Sequence, residues 1–501
     1  MHDFIKRGCS SCFLFFYLIV LHVYIHAGSF TTTSGGTEST AAEQVNLTTS
    51  NLTSDMTQLR LISGSFGSID MSDMGTQSIQ IDGADSIGTV SYNSTLGVTI
   101  TTDLVIPTFN SAEGTASNDE TLAVTASSYT QDVPASKLVP FSSGSITFAN
   151  MTDSTISVDS TVTRAQLTGI FGQITSTSSS ALSNVTLDIN GYNPEDDTVV
   201  TIPAGISNLT LTSGGAPTAV ELDATNLSSG DGAVTLAGDM SNAPVLTNLT
   251  NRTLTYTSTS PSGNIPNLSD ATSTGNTLLI ASDTANMGNI SLDSGYHLLN
   301  LQQGTVGTIN ATNMATNTTY APTATPTLLL DGAGTMTSIG DITANNLWVE
   351  VAAATQTQLP NFANCTGTCT LSFDTEADTA MSLDSVPNGY DRIKVKSGTI
   401  TGNIGMRSMS TQNLELAGGS VTGTVSMNGG SVIVSSPSSN VFPKLSEGDN
   451  TLEVDMSGST LQYPDPQLTA GYKTVKVTAG TIAAASGATN ALDFTNAASS
   501  P

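Results

Sequence analysis

Basic side chains are scarce: 13 Lys and Arg stand against 41 Asp and Glu, a formal charge of −28. Neutralising a phosphate backbone takes clustered Lys and Arg, so the composition argues against nucleic acid as a partner, and against an anionic membrane on the same ground. Charge of either sign is thin at 11%, and aromatics reach only 5% with a single Trp. A conventional globular core leans on just those large side chains. The 38% hydrophobic content comes mostly from Val, Ile, Leu and Ala, which is too much for a disordered chain. Helix formers such as Glu, Lys and Gln are sparse, while β-branched and small residues suit strands and tight turns. Three of the four His lie in the first 26 residues, leaving His297 alone. It sits in a strand-like run with no anchored partner in view, so a Ser-His-Asp arrangement has little to build from. No P-loop, dinucleotide fingerprint or HExxH motif occurs.

What is present begins with an export leader. Lys6 and Arg7 precede the apolar run "FLFFYLIVL" (Phe13–Leu21), and Ala27 and Gly28 are small enough for a cleavage site. A signal anchor is the alternative reading. Against it, His22 and His26 interrupt a run already shorter than the ~20 residues a spanning helix needs. The expected layout is a signal peptide at 1–27, a flexible Ser/Thr-rich lead-in at 28–58, a repeat array at 59–482 and a low-complexity tail at 483–501. The mature chain is expected to carry no membrane span. The tail lacks the hydrophobic end of a GPI signal. An uncapped solenoid end would leave strand edges open, so the chain is expected either to continue in a longer protein or to stack end to end on itself.

Of the four Cys, Cys9 and Cys12 belong to the leader, and "NCTGTC" holds Cys365 and Cys369. In an oxidising compartment the latter pair reads as a local disulfide. Fourteen N-x-S/T sequons read as N-glycosylation acceptors: Asn46, Asn51, Asn93, Asn150, Asn184, Asn208, Asn226, Asn248, Asn251, Asn267, Asn289, Asn310, Asn317 and Asn364. A chain this rich in Asn, Ser and Thr makes sequons by chance. Their distribution says more, because none occurs in the last 137 residues.

The main signal is periodic. Apolar-x-apolar steps run from Leu59–Leu61, Ile79–Ile81 and Val98–Ile100 through Leu254–Tyr256 and Val349–Val351 to Val475–Val477: 19 steps, about 23 residues apart. Longer insertions precede Ile156, Val185 and Leu328. A second step recurs behind the first, with Gly beside an apolar residue: "FGSI" (Phe66–Ile69), "IGTV" (Ile87–Val90), "FGQI" (Phe171–Ile174), "MGNI" (Met287–Ile290), "VGTI" (Val306–Ile309) and "IGDI" (Ile339–Ile342). "TGNI" (Thr401–Ile404) and "TGTV" (Thr422–Val425) repeat it. The glycine reads as a tight corner where a Cβ would clash. One coil cannot bury its apolar pair alone, so stacked coils must share an interior, with strands about 4.8 Å apart. The expectation is an all-β, elongated single-domain β-solenoid of about 19 coils with almost no helix.

The stretch "LTYTSTSPSGNIPNLSDATSTGNTLLI" (Leu254–Ile280) resembles leucine-rich repeats of the plant type, with L-x-L, then S-G-x-I-P, then a further Leu. "QLPNF" (Gln358–Phe362) and "NVFPKL" (Asn440–Leu445) are similar. The resemblance implies an extracellular recognition module that binds protein or glycan on its strand face. Where that family carries Asn three residues after L-x-L, this chain has Gly64, Ala84, Asp103, Asp283, Gly398, Gly419 or Gly480. A straighter, right-handed β-helix is therefore as compatible as a horseshoe.

Strand side chains alternate, so the middle residue of each step should face outward. That ladder reads Thr186, Thr210, Thr235, Thr255, and later Glu350, Ser372, Lys394, Glu415, Ile433, Glu453 and Lys476. The Thr run is either a hydroxyl–methyl strip for a surface such as ice or glycan, or simply what exposed strands favour. Lys394/Glu415 and Glu453/Lys476 are placed to pair across strands. "NPEDD" (Asn193–Asp197) gathers Glu195, Asp196 and Asp197 in a loop that reads as a solvated turn rather than a Ca²⁺ site. Only Lys394, Lys396 and Arg407 with Glu415 loosely imitate a polysaccharide-processing site. No catalytic, metal or cofactor residue is assigned. The chain reads as a secreted, N-glycosylated structural or adhesive repeat protein of a cell surface, matrix or filament. Its expected partners are an extracellular protein or glycan, or further copies of itself. The alternatives are the recognition module and a carbohydrate-active enzyme on the same fold.

Overall fold

The computed structural model describes residues 28–484 except 35–36, 45, 94–97, 103–104, 112–119, 178–181, 191–198, 213–220, 228–231, 238–243, 260–263, 322–324, 333, 335, 357, 376–379, 382–384, 387–388, 407–411, 428, 437–442, 447 and 464–470. The leader, most of the tail, the Glu195–Asp197 loop and Arg407 lie outside the described residues. The chain is an all-β solenoid of about 16 turns, 5% helical, and divides into two compact units. Unit 1 comprises Met1–Asp188, Val200–Ser207 and Asn226–Ser228; unit 2 comprises Ile189–Val199, Asn208–Thr225 and Ser229–Pro501.

In unit 1 the strands Met56–Asp70, Ser78–Ile81, Thr99–Thr102, Thr121–Val124 and Ser145–Phe148 pair in parallel, stacking Leu59, Ile79, Ile100, Leu122 and Ile146 in register. Two details correct the sequence reading. The third rung is Ile100–Thr102 rather than Val98–Ile100. Thr102 is tolerated inside because its hydroxyl donates to the Val105 carbonyl at 3.0 Å. The rung Ile146–Phe148 was missed, hidden in the long spacing before Ile156. The solenoid has about 16 turns rather than 19 coils, and the steps from Leu59 to Leu122 lie in a sheet separate from the longest one.

The lead-in expected to be flexible instead holds strands Gly28–Ser34 and Thr37–Gln44. Gly28–Ser34 runs antiparallel to Met56–Asp70, setting Phe30 opposite Leu61. Phe30 is buried there, and the pairing occupies a strand edge that would otherwise stand open. "FGQI" is not a corner either. It lies in the helix Arg164–Thr177, whose Leu167, Ile170, Phe171 and Ile174 are all buried at helical spacing. A capping box starts it: the Gln166 amide donates to Thr163 Oγ1 at 3.3 Å, and the Thr163 amide donates to Gln166 Oε1 at 2.9 Å.

Unit 2 carries the longest ladder of parallel strands. Leu209, Val234, Leu254, Leu278, Leu299, Leu328, Val349, Leu371, Ile393, Leu414, Val432, Leu452 and Val475 stand in continuous register. Several coils are three-sided. After Tyr296–Leu301, the chain turns into Gly304–Val306 and then Ile309–Asn310, each stacked on the same side of its neighbours. The corner between the second and third sides is the Gly step. A Cβ on Gly423 would overlap the Gly402 carbonyl oxygen, and one on Gly340 would overlap the Gly307 carbonyl. Neither glycine has a positive φ, so close approach between coils, not backbone conformation, demands it.

Polar groups stitch the coils at a further position. Asn450 Nδ2 donates to the carbonyls of Met427 and Gly471, both at 3.1 Å, while its Oδ1 accepts from the Gly430 amide at 3.0 Å. Asn276 does the same to Leu249 and Gly295. Both open an "NTL" triplet and are fully buried, so the amide ladder sits ahead of the rung rather than three residues after it. The Pro of the leucine-rich-like segments also has a task. Tyr296, Tyr390 and Tyr472, each preceded by Gly, donate their hydroxyls to the carbonyls of Pro266, Pro360 and Pro443 at 2.8–3.0 Å. Burial pushes all three phenols well above their ordinary pKa.

Replacing Gly423 by Ala forces a methyl into the coil-to-coil contact and should cost about 1–3 kcal/mol. Thermal unfolding followed by circular dichroism checks it. An unchanged midpoint would mean that the corner has room to spare.

Candidate ligand groove on the strand face

The outward ladder of unit 2 is continuous. Thr210, Thr235, Thr255, Leu279, Asn300, Leu329, Glu350, Ser372, Lys394, Glu415, Ile433, Glu453 and Lys476 occupy equivalent positions on successive rungs. Thr186 lies in unit 1, on the strand Val185–Asn190. Thr210, Thr235 and Thr255 are half-buried and form a short strip that ends at Leu279.

Glu350 corrects the expectation of an exposed ladder. It is 2% exposed, accepts from Trp348 Nε1 at 2.5 Å and pairs with Lys396 Nζ at 2.7 Å. The insertion before Leu328 lies alongside this face, its Thr316, Thr325 and Pro326 lining the same groove as Trp348. Burial raises the Tyr320 phenol in that insertion, and the charges of Asp331 and Glu350 add to the shift. The insertion is pinned by a two-way backbone bridge between Asn317 and Thr325, at 3.0 and 3.3 Å, and by the Ala315 amide on the Tyr296 carbonyl. Leu329 and Ser372 are likewise buried on this face.

That groove has a volume of about 620 Å³. Its floor is two outward rows: Trp348, Thr370, Arg392 and Asn413 in one, Lys394, Glu415 and Ile433 in the other. Thr316, Thr325 and Pro326 come from the insertion, and Asn346 and Thr368 from turns before their rungs. Lys394 pairs with Glu415 at 2.9 Å, and farther along Lys476 pairs with Glu453, also at 2.9 Å. Both pairs are part-exposed, worth at most about 1 kcal/mol, whereas each buried Val or Leu contributes roughly 1.5–3 kcal/mol. The inward pairs therefore hold the coil. Lys396 also lies 5.7 Å over the Trp348 ring.

The sulfurs of Cys365 and Cys369 are at bonding distance, with Cα atoms 6.4 Å apart, on the turn leading into the rung Cys369–Asp374. His297 lies half-buried on Tyr296–Leu301, and burial lowers its pKa. No group of three or more His, Cys, Asp or Glu among the described residues could hold a metal ion. No described helix is long and apolar enough to cross a membrane.

The sequons acquire a structural meaning that the sequence alone did not reveal. Asn310 Oδ1 accepts from the Thr312 amide and hydroxyl at 3.2 and 2.7 Å, and Asn267 accepts from the Ser269 amide at 2.9 Å. Asp223–Thr225 and Asp159–Thr161 build the same Asx turn with a carboxylate. The N-x-S/T pattern is thus one form of a corner that D-x-S/T serves equally well. Asn46, Asn184, Asn251, Asn267, Asn289, Asn310 and Asn364 are exposed; Asn51, Asn93, Asn150, Asn208, Asn226 and Asn248 are half-buried. Asn248 Nδ2 is engaged with Asp223 at 2.9 Å. Asn317 is 3% exposed, and its Oδ1 accepts from the Thr319 amide at 2.7 Å.

No known protein family, curated protein or solved structure matches the chain.

If the chain is glycosylated in a eukaryotic secretory pathway, glycopeptide mass spectrometry of folded protein should find sugar at Asn289 and Asn310 and none at Asn317. Full occupancy of Asn317 would mean that the insertion does not pack on the strand face.

Proposed function

We infer that the protein is exported and N-glycosylated, and that it serves as a structural or adhesive repeat protein at a cell surface, matrix or filament. The leader around Lys6, Arg7 and Phe13–Leu21 supports export, and exposed sequons are compatible with a sugar coat. The observation that carries the reading is a polar groove set on a rigid ladder of parallel strands. Such a platform suits attachment rather than turnover. Glu415 in the groove lining and Glu350 on the rung of Trp348 are each committed to a lysine, leaving neither poised as a free acid or base.

The groove also favours a second reading, an extracellular recognition module of the leucine-rich type that takes a protein or glycan on its strand face. Adhesion and recognition differ here only in whether the bound partner is a surface or a discrete molecule. The Thr210–Thr235–Thr255 strip, half-buried at all three positions, serves better as plain solvated strand.

Expression in a eukaryotic host tests the reading. The protein should accumulate in the medium, lose mass on peptide N-glycosidase treatment, and support cell attachment when coated on a surface. Retention inside the cell without glycan would contradict it.

A further inference from the structure

We propose that the groove binds a carboxylated oligosaccharide, with Arg392 as the group that clamps its carboxylate. The proposal rests on the adhesive reading and gives it a ligand class.

The charges on the floor are unequal in what they leave free. Lys394 is neutralised by Glu415 at 2.9 Å, and Lys396 by Glu350 at 2.7 Å and Asp374 at 3.5 Å. Arg392 stands on the same strand, Arg392–Ser397, with its side chain exposed and no ion pair or side-chain hydrogen bond to any described residue. In a chain of charge −28, an unpaired cation aimed into a groove is the exception. Long-range repulsion of an anion falls away beyond about 8 Å at physiological salt, so the local guanidinium decides. Its planar fork matches a carboxylate in two parallel bonds.

The rest of the lining selects a sugar over a peptide or a small acid. Hydroxyls of Thr316, Thr368 and Thr370 and the amide of Asn413 can both donate and accept, as a polyhydroxylated chain requires, while Asn346 Oδ1 is already taken by the Thr368 amide at 2.8 Å. Trp348, Pro326 and Ile433 give apolar patches for C–H faces. The rungs from Trp348 to Ile433 span four strand spacings, roughly 19 Å at about 4.8 Å each. That length suits a run of linked rings rather than one.

Trp348 is the sole Trp, so its emission reports on this groove alone. Full-length protein would be titrated with a short mannuronate oligomer, its carboxyl-reduced counterpart, and a poly-Glu peptide. The mannuronate should give a saturable change. Arg392→Gln should weaken it at least ten-fold, Arg392→Lys should weaken it less, and Lys473→Gln, on another rung, should leave it unchanged. Equal binding of the reduced oligomer would overturn the carboxylate clamp, equal binding of poly-Glu would overturn the sugar, and no response to any would overturn the groove as this site. Secretion and cell attachment would stand in all three cases, which separates this failure from failure of the adhesive reading.

Discussion

A coil of some 23 residues with only a handful of inward apolar side chains, such as Leu414, Leu416, Val421, Val425 and Met427, has no interior of its own. Everything else in this protein follows from the need to press one coil against the next until their apolar pairs share a dry space. The approach is so close at the Gly402/Gly423 and Gly307/Gly340 corners that a single methyl would collide with the carbonyl of the coil beneath. The same closeness makes buried polar groups find their partners within the protein. Asn276 and Asn450 therefore bridge backbone groups of the coils on either side, and Tyr296, Tyr390 and Tyr472 close off proline carbonyls.

That dependence explains what could be read from the chain. The inward pairs repeat because each coil meets the same requirement, and every one of the later steps, from Leu209 to Val475, falls on a rung of one register. The glycine corners were legible for the same reason. What escaped were local departures from the period. The helix Arg164–Thr177 carries an i, i+3, i+4, i+7 pattern and a Thr163–Gln166 capping box, but "FGQI" within it imitates the corner. The lead-in is poor in apolar residues, and Phe30 alone gave little sign of a strand whose backbone covers an edge.

The groove was only half legible. Lys394, Lys396 and Glu415 were singled out by charge in a chain that has little of it. Arg392 was not, because nothing in a sequence distinguishes an unpaired guanidinium from a paired one. Trp348 and Glu350 drew no notice as a pair, since alternation marked Glu350 as exposed; in the fold both meet Lys396, two rungs on. Long-range contacts of that kind carry no local signature. Likewise the sequons read as one class in the sequence, while in the fold they range from exposed Asn289 and Asn310 to buried Asn317, and at Asn267 and Asn310 an Asn does the work of Asp in a turn.

Hydrogen exchange of the native protein tests the shared interior most directly. The amides of Asn413, Ser431 and Thr451 bond to the carbonyls of Asp391, Gln412 and Gly430 on the preceding coil. The account predicts strong protection at these and at the equivalent amide on every rung between Leu209 and Val454, rising and falling together as denaturant is added. Protection confined to separate blocks of sequence, each opening independently of the coils beside it, would contradict it.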